Sequence, residues 1–413
     1  MTQREPHRIV VVGASLVANK GAGAMLEAAL ARVPEVSGPC RFDVLSTYPT
    51  RERQLLYDRD AVTVGDLRPV RLAALEFPLA VVAAVARRLR IPLRFVPASA
   101  VGRAYRDADL VIDLAGISFA DGRGVPTLLY NTLMTGIGLL HGVPTVKAAQ
   151  ALGTFDETAT RLAARAVLPR LAWIGARGRS TYENLMTLEL TNVEEVADLA
   201  FSLPAADEAA VTGPDVARPR ILVFPSSVVR RLCARSGIDY VDRMAALIRD
   251  VRRRTGREVV IAPHSYREGE PEGRMNDGPV CRDLAAALAD DDGVEVVDAD
   301  LDPAALRRLV AGSDLLLTSR FHGMIAGLAE CVPVVVVGWS HKYREVLAEF
   351  DLTSLGCDHR SLEQPTRVAD LAVEAFEERD AVSAQIAAAL PSVVEQSARN
   401  FAAIDQILRK VPA

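Results

Sequence analysis

Lysine is almost missing from this chain of 413 residues: the only ones are Lys20, Lys147, Lys342 and Lys410, and arginine carries nearly all the other positive charge. Both residue types solvate a surface alike, so the bias fits genomic composition, yet it draws attention to the first three lysines. No block of like charge occurs and the formal net charge is −5, which excludes the electrostatic footprint of a nucleic-acid binder. Cysteine is scarce and scattered. Cys40, Cys233, Cys281, Cys331 and Cys357 show neither zinc-ligand nor redox spacing, which predicts free thiols in a reducing cytoplasm. The histidines lack HxxxH and HExxH spacing and no GxSxG elbow is present, so neither a metal set nor a serine triad is expected. Long apolar runs are also lacking. The most apolar helix-like run, Phe77 to Ala86, falls far short of the roughly 20 residues that span a bilayer. The polar lead passes directly into Ile9–Gly13, too short for a signal-peptide core. The expectation is a cytoplasmic protein with no transmembrane segment.

What is present is hydrophobic mass in a repeating rhythm. Half the residues are apolar, enough for two cores of about 200 residues each. Strand candidates at Ile9–Gly13, Phe42–Ser46, Leu110–Leu114, Thr145–Ala149 and Ala172–Gly175 alternate with Ala/Leu-rich helices. The span Tyr48–Val96 is less regular and predicts an extra helix around Pro78–Arg90. The rhythm stops at the Pro/Gly/Asp/Ala-rich stretch around residues 206–219, and resumes at Ile221–Phe224, Val259–Ala262, Val294–Val297, Leu315–Thr318 and Val334–Val337. The fold class is therefore α/β. Two doubly wound Rossmann-like domains are expected in a GT-B-like arrangement: residues 1–205, a linker at 206–219, residues 220–365, and C-terminal helices over 366–413, interrupted at Pro391. Such sheets bind ligands at the carboxyl ends of their strands.

Several polar clusters fall at such ends. Asn19-Lys20-Gly21-Ala22-Gly23 opens a helix after the first strand, where small residues and free N–H groups suit an anion, a sugar oxygen or close packing alike. Asp113 and Gln150 end strands and could bond hydroxyls, or serve as turn residues. Arg177 precedes a helix N-terminus, where the dipole disfavours a cation unless an anion is bound. His264 ends a strand of the second half, with Asn276-Asp277 following. The densest cluster is Ser319-Arg320-Phe321-His322-Gly323: Arg320 and His322 flank Phe321 at a helix start, and His341-Lys342-Tyr343 follows the next strand. Neighbouring parallel strands can bring both cation pairs to one phosphate or carboxylate.

Taken in order, these segments resemble the polysaccharide pyruvyl transferase family. The match runs through the Asn19–Gly23 loop, the Asp109–Gly116 strand-turn, Gln150–Phe155, Ala176–Ser180, Ala262-Pro263-His264 with Asn276-Asp277, Ser319–Gly323 and His341–Tyr343. The resemblance implies a GT-B-like enzyme that moves the enolpyruvyl group of phosphoenolpyruvate onto two hydroxyls of a carbohydrate acceptor. It needs no cofactor besides that donor, and peripheral association with a lipid-linked acceptor stays open, as does the oligomeric state. It implies His322 as phosphate ligand and general acid, and His341 or His264 as the group that removes hydroxyl protons. Arg320, Phe321, Arg177, Lys342, Asn19, Gly21, Asp113 and Gln150 would contact substrate. Ala22 and Gly178 stand where acidic residues are common in the family, both in the expected acceptor-side domain. The alternatives are a GT-B glycosyltransferase using a nucleotide sugar and a non-catalytic anion- or glycan-binding member of the fold.

Overall fold

The computed structural model describes residues 5–204, 220–273, 275–338 and 340–411; the expected linker, 206–219, lies outside them. The strands in chain order are β1 (His7–Val12), β2 (Ala18–Asn19), β3 (Cys40–Ser46), β4 (Val62–Asp66), β5 (Leu110–Asp113), β6 (Thr145–Gln150), β7 (Trp173–Arg177) and β8 (Val193–Val196). They continue with β9 (Arg220–Phe224), β10 (Glu258–Ile261), β11 (Ser265–Tyr266), β12 (Val294–Val296), β13 (Leu315–Thr318), β14 (Val334–Gly338) and β15 (Gly356–Asp358). Two compact units divide the chain. The first is Met1–Leu16, Met25–Leu203 and Glu395–Ala413; the second is Val17–Ala24 and Pro204–Val394.

The first unit holds a seven-stranded sheet in the order β4-β3-β1-β5-β6-β7-β8, and the second a six-stranded sheet in the order β12-β10-β9-β13-β14-β15. Every neighbouring pair in both sheets is parallel. Sheets of this kind are covered by helices on both faces, so their inner strands must be apolar on both sides. The sequence obeys. Ile9 to Val12 of β1, and nearly all of β9, β13 and β14, are buried. The edge strands β4, β8 and β15 escape sequence reading because VTVGD, VEEV and GCD are short, mixed in polarity and partly exposed.

Three expectations are corrected. The loop that begins at Asn19 was expected in the first domain. Instead β2 pairs antiparallel with β11, Ser265 opposite Asn19 and Tyr266 opposite Ala18, so residues 17–24 belong to the second unit. The C-terminal helices do not break at Pro391: Arg379–Leu408 is one helix, whose part from Glu395 belongs to the first unit. Burial of Ile386, Val393, Ser397 and Asn400 carries it past the lost backbone hydrogen bond. Ser397 Oγ donates to the Asp198 carbonyl, and Asn400 Nδ2 to that of Ala197. Finally, the expected helix near Pro78–Arg90 is the end of a longer one. Pro69–Arg88 forms a continuous helix of 20 residues that contains an 18-residue stretch with a mean hydropathy of 1.7, long and apolar enough to cross a membrane by length and composition. A π-helical turn at Leu72–Glu76 precedes Pro78, absorbing the backbone donor that proline lacks.

Candidate functional site

The second unit gathers most of the residues singled out in the sequence. β13 runs buried to Thr318, and Arg320 then caps the helix Phe321–Ala329 with extended backbone. The Thr318 hydroxyl accepts from the Arg320 amide at 3.0 Å, which sets that turn. Arg320 reaches Asp277 through Nη2, and Ser227 Oγ through the same nitrogen at 3.3 Å. Asp277 is fully buried. Its Oδ1 accepts from the Ser227 amide at 2.9 Å, and its Oδ2 from the Ser265 amide at 3.0 Å. Asn276 beside it donates through Nδ2 to the carbonyls of Arg267, Glu270 and Pro271, pinning the preceding loop.

The imidazoles lie next to this ion pair. His264 follows β10, is buried, and meets the ring of Phe224 edge-on at 5.3 Å between centroids. Burial first, and then the positive charges of His322, Arg320 and Lys20, push its pKa well below the usual histidine value of 6.5. His264 is therefore neutral in a strongly cationic neighbourhood. His322 packs edge-on to Phe321 at 5.3 Å, and Phe321 is edge-on to Tyr343 at 5.5 Å. Lys342 Nζ sits 4.5 Å from the Phe321 centroid, a cation–π contact. Tyr343 donates to the Ser319 carbonyl at 3.2 Å, tying the turn after β14 to the turn after β13. His341 opens the helix His341–Ala348; its side chain lies outside the described residues.

Residues 17–24 complete the cluster. Gly21 lies directly against the His322 ring, and a Cβ built there would overlap the ring atoms. Asn19 Oδ1 accepts from the Gly21 amide at 3.2 Å, while buried Lys20 pairs with Asp300 at 2.5 Å. Ala22, next in sequence to Gly21, therefore belongs to the second unit and not to the first.

The remaining three expected substrate contacts, Asp113, Gln150 and Arg177, are in the first unit, where each has internal partners. Asp113 and Gln150 are wholly buried and bonded to each other. Asp113 Oδ1 accepts from the Ala115 amide and Gln150 Nε2, and Oδ2 from Thr135 and from Lys147 Nζ at 2.5 Å. Gln150 Oε1 accepts from Ser118 Oγ at 2.5 Å. Both carboxylate oxygens of Asp113 are thus used internally, because a buried lysine at β6 needs a buried counter-charge. Burial pulls the Lys147 pKa down, with Asp113 opposing. Arg177 donates to Asp198 at 2.6 Å and to the Gly116 carbonyl at 2.8 Å. The family-atypical Gly178 has φ +79°, a left-handed value that explains glycine there.

Sequence reasoning did not commit to Asp277, Ser227, Lys20 and Asp300. The Asn-Asp pair and the rarity of lysine were the available signals. A family model described as polysaccharide pyruvyl transferase matches residues 19–341, a span that includes Asn19, Gly21, His264, Asp277, Arg320 and His322. The chain belongs to the polysaccharide pyruvyl transferase family. No curated protein matches it. Among solved structures it is similar to UDP-GlcNAc 2-epimerase from Neisseria meningitidis bound to UDP-GlcNAc: TM-score 0.60, 12% identity, 97% of this chain and 99% of that one covered. It is also similar to the Methanocaldococcus jannaschii UDP-GlcNAc 2-epimerase in complex with UDP-GlcNAc and UDP: TM-score 0.52, 10% identity, 88% and 92% covered. A third similar structure is the glycotransferase of kitacinnamycin, with TM-score 0.53, 12% identity and 99% and 100% covered. These likenesses show the fold, an α/β fold of the GT-B type with two parallel sheets. For this member of the family, they leave the chemistry to the residues above.

Three tests follow from the geometry. Gly21→Ala should cost about 1–3 kcal/mol in denaturant melts, and Gly21→Ala combined with His322→Ala should cost clearly less than the sum; an additive pair would contradict the close approach. Lys147→Met leaves Asp113 buried without its counter-charge and should lower stability by about 3–5 kcal/mol, most of it recovered by adding Asp113→Asn. Equal stability of the single and double variants would refute the pairing. His264 takes up its proton in the unfolded chain more readily than in the folded one. Its contribution to stability is therefore complete above pH 6.5 and declines as pH falls below that value, by up to about 1.4 kcal/mol per pH unit. Melts of the wild type and His264→Gln should diverge in slope below that pH; parallel curves would show that His264 is not held neutral.

Proposed function

We propose that this chain transfers the pyruvyl group of phosphoenolpyruvate to two hydroxyls of a sugar or glycan, forming a ketal and releasing phosphate. The observation that supports this most is the meeting of Arg320, Lys20 and the neutral His264 with His322 inside the family-matched span. The donor carries a carboxylate and a phosphate, so it requires several fixed cations and at least one group that exchanges protons near neutral pH. In this reading Arg320, oriented by Asp277, forks onto one anionic group, with Lys342 and the amides at Asn19–Gly21 near the other. Phe321 lies between Arg320 and His322 at the start of that helix. Arg177, held by Asp198, is not used.

His322 binds the phosphate and gives a proton to the methylene carbon, which becomes a methyl group. The adjacent carbon takes on oxocarbenium character. One hydroxyl attacks it, the carbon–oxygen bond to phosphate breaks, and the second hydroxyl closes the ring. Of the two hydroxyl protons, one replaces the proton given to the methylene carbon and the other leaves with phosphate. His264 or His341 accepts a hydroxyl proton on the way; a neutral imidazole is the form that can do so. The reaction is assigned to the cytoplasm, in keeping with five free cysteines.

A nucleotide-sugar glycosyltransferase would use the same cations for a diphosphate, and structures of this fold are known with UDP-GlcNAc bound. Thermal shift separates the two, since a tight ligand raises the melting point. Phosphoenolpyruvate should stabilise the chain and UDP should not; the reverse would favour the nucleotide sugar. For the chemistry, His322→Gln should retain donor binding while slowing acceptor-dependent phosphate release by about 10²–10⁴. Near-normal turnover would reject His322 as the acid, and release that never depends on acceptor would favour a non-catalytic anion binder.

A further inference from the structure

The helix Pro69–Arg88 carries its side chains in the reverse of the usual order for a surface helix. Leu72, Glu76, Ala80, Ala83 and Ala86 face inward and are buried, so the core side is mostly alanine. The larger apolar residues face solvent. Leu75, Val81, Val82 and Val85 recur at three- and four-residue spacing, and the stripe continues through Leu89 just past the helix end. Val82 is 50% exposed, Val85 52% and Leu89 66%. A helix whose outer face served only solvent would carry polar residues there. At the carboxyl end of the stripe stand Arg87, Arg88, Arg90 and Arg94, all exposed. Arg87 is anchored on the carbonyls of Leu140 and His141. Among the described residues, no carboxylate pairs with Arg88 or Arg90.

We propose that this face docks on an anionic phospholipid bilayer, with the Leu/Val stripe in the acyl boundary and the arginine cluster among the headgroup phosphates. Length and composition alone would also suit a membrane span, but the inner face decides against it. Leu72 and Ala80 belong to the core of the first unit, and Ala83 and Ala86 pack with Val96. Glu76 is buried, pairs with Arg71 at 2.9 Å and accepts from Ser99 at 2.5 Å. Withdrawing the helix to span would dismantle that packing, whereas lying in the interface plane keeps it and covers only the exposed stripe. A second copy of the chain fits less well. The stripe residues Leu75, Val81, Val82, Val85 and Leu89 include no carboxylate, so pairing this face on itself offers the arginines no counter-charge there, while anionic headgroups complement them. The docking does not depend on the pyruvyl-transfer reading.

The test is flotation of the full chain with vesicles of phosphatidylcholine alone and of phosphatidylcholine mixed with phosphatidylglycerol. The wild type should float with the anionic vesicles, weakly or not at all with the neutral ones, and less at high salt. Arg88→Gln with Arg90→Gln should weaken partitioning about fivefold per arginine. Leu75→Gln with Val82→Gln and Val85→Gln should abolish flotation while the melting curve stays unchanged, since all three side chains are exposed. Wild type that fails to float, or that floats as well when the stripe is polar, overturns the proposal. So does a wild-type dimer in sedimentation velocity that the stripe substitutions dissociate without any vesicle binding.

Discussion

Asp277 is a fully buried carboxylate that unites three separate backbone segments of the second unit. It accepts from the amides that begin the helix after β9 and that open β11, and it takes the guanidinium of Arg320 from the turn after β13. A carboxylate in that position is stable only because each oxygen is used, and it fixes Arg320 where a freely rotating side chain would lose entropy on binding an anion. The histidines depend on the same anchor. β11 carries Ser265 into the Asp277 bond, holds His264 immediately before it, and pairs with β2, which delivers Gly21 to His322. Removing the carboxylate would release the arginine, the strand pairing and the glycine approach together.

The cluster is cationic by construction. Lys20 and Arg320 are each countered by one carboxylate, Asp300 and Asp277, yet their charge still adds to burial in lowering the His264 pKa. An incoming dianion changes that balance: it relieves the repulsion between the cations and makes a protonated imidazole less costly. In the proposed reaction, donor binding and proton transfer would be coupled through this electrostatic balance. The first unit shows the opposite use of charge. Asp113 and Lys147 neutralise each other at the centre of a buried hydrogen-bonded network.

Much of this was legible in the sequence, and the limits have physical causes. Uninterrupted apolar runs such as VVVV in β14 and LLLT in β13 can only be inner strands of a covered sheet, so the two-sheet fold and the Arg320-Phe321-His322 turn were readable. Hydrophobic periodicity says nothing about a two-residue strand, and β2 with β11 is what moves Asn19–Ala24 into the second unit. Burial of a polar residue is equally hidden. Asp113 and Gln150 have the same one-dimensional context as ligand-contacting residues, and only Lys147, three residues before Gln150 and paired with Asp113, reveals them as an internal network. The apolar helix at Pro69–Arg88 was underestimated because Pro78 looks like a start, whereas a π-helical turn lets the helix run through it.

The central claim is that the second unit's cations receive phosphoenolpyruvate. It is tested most directly by determining the structure of the chain with that compound at saturating concentration. The account expects the phosphate and carboxylate at Arg320 and His322, within hydrogen-bond distance of both and beside Gly21. An empty pocket at those residues, or donor density elsewhere in the chain, would contradict it.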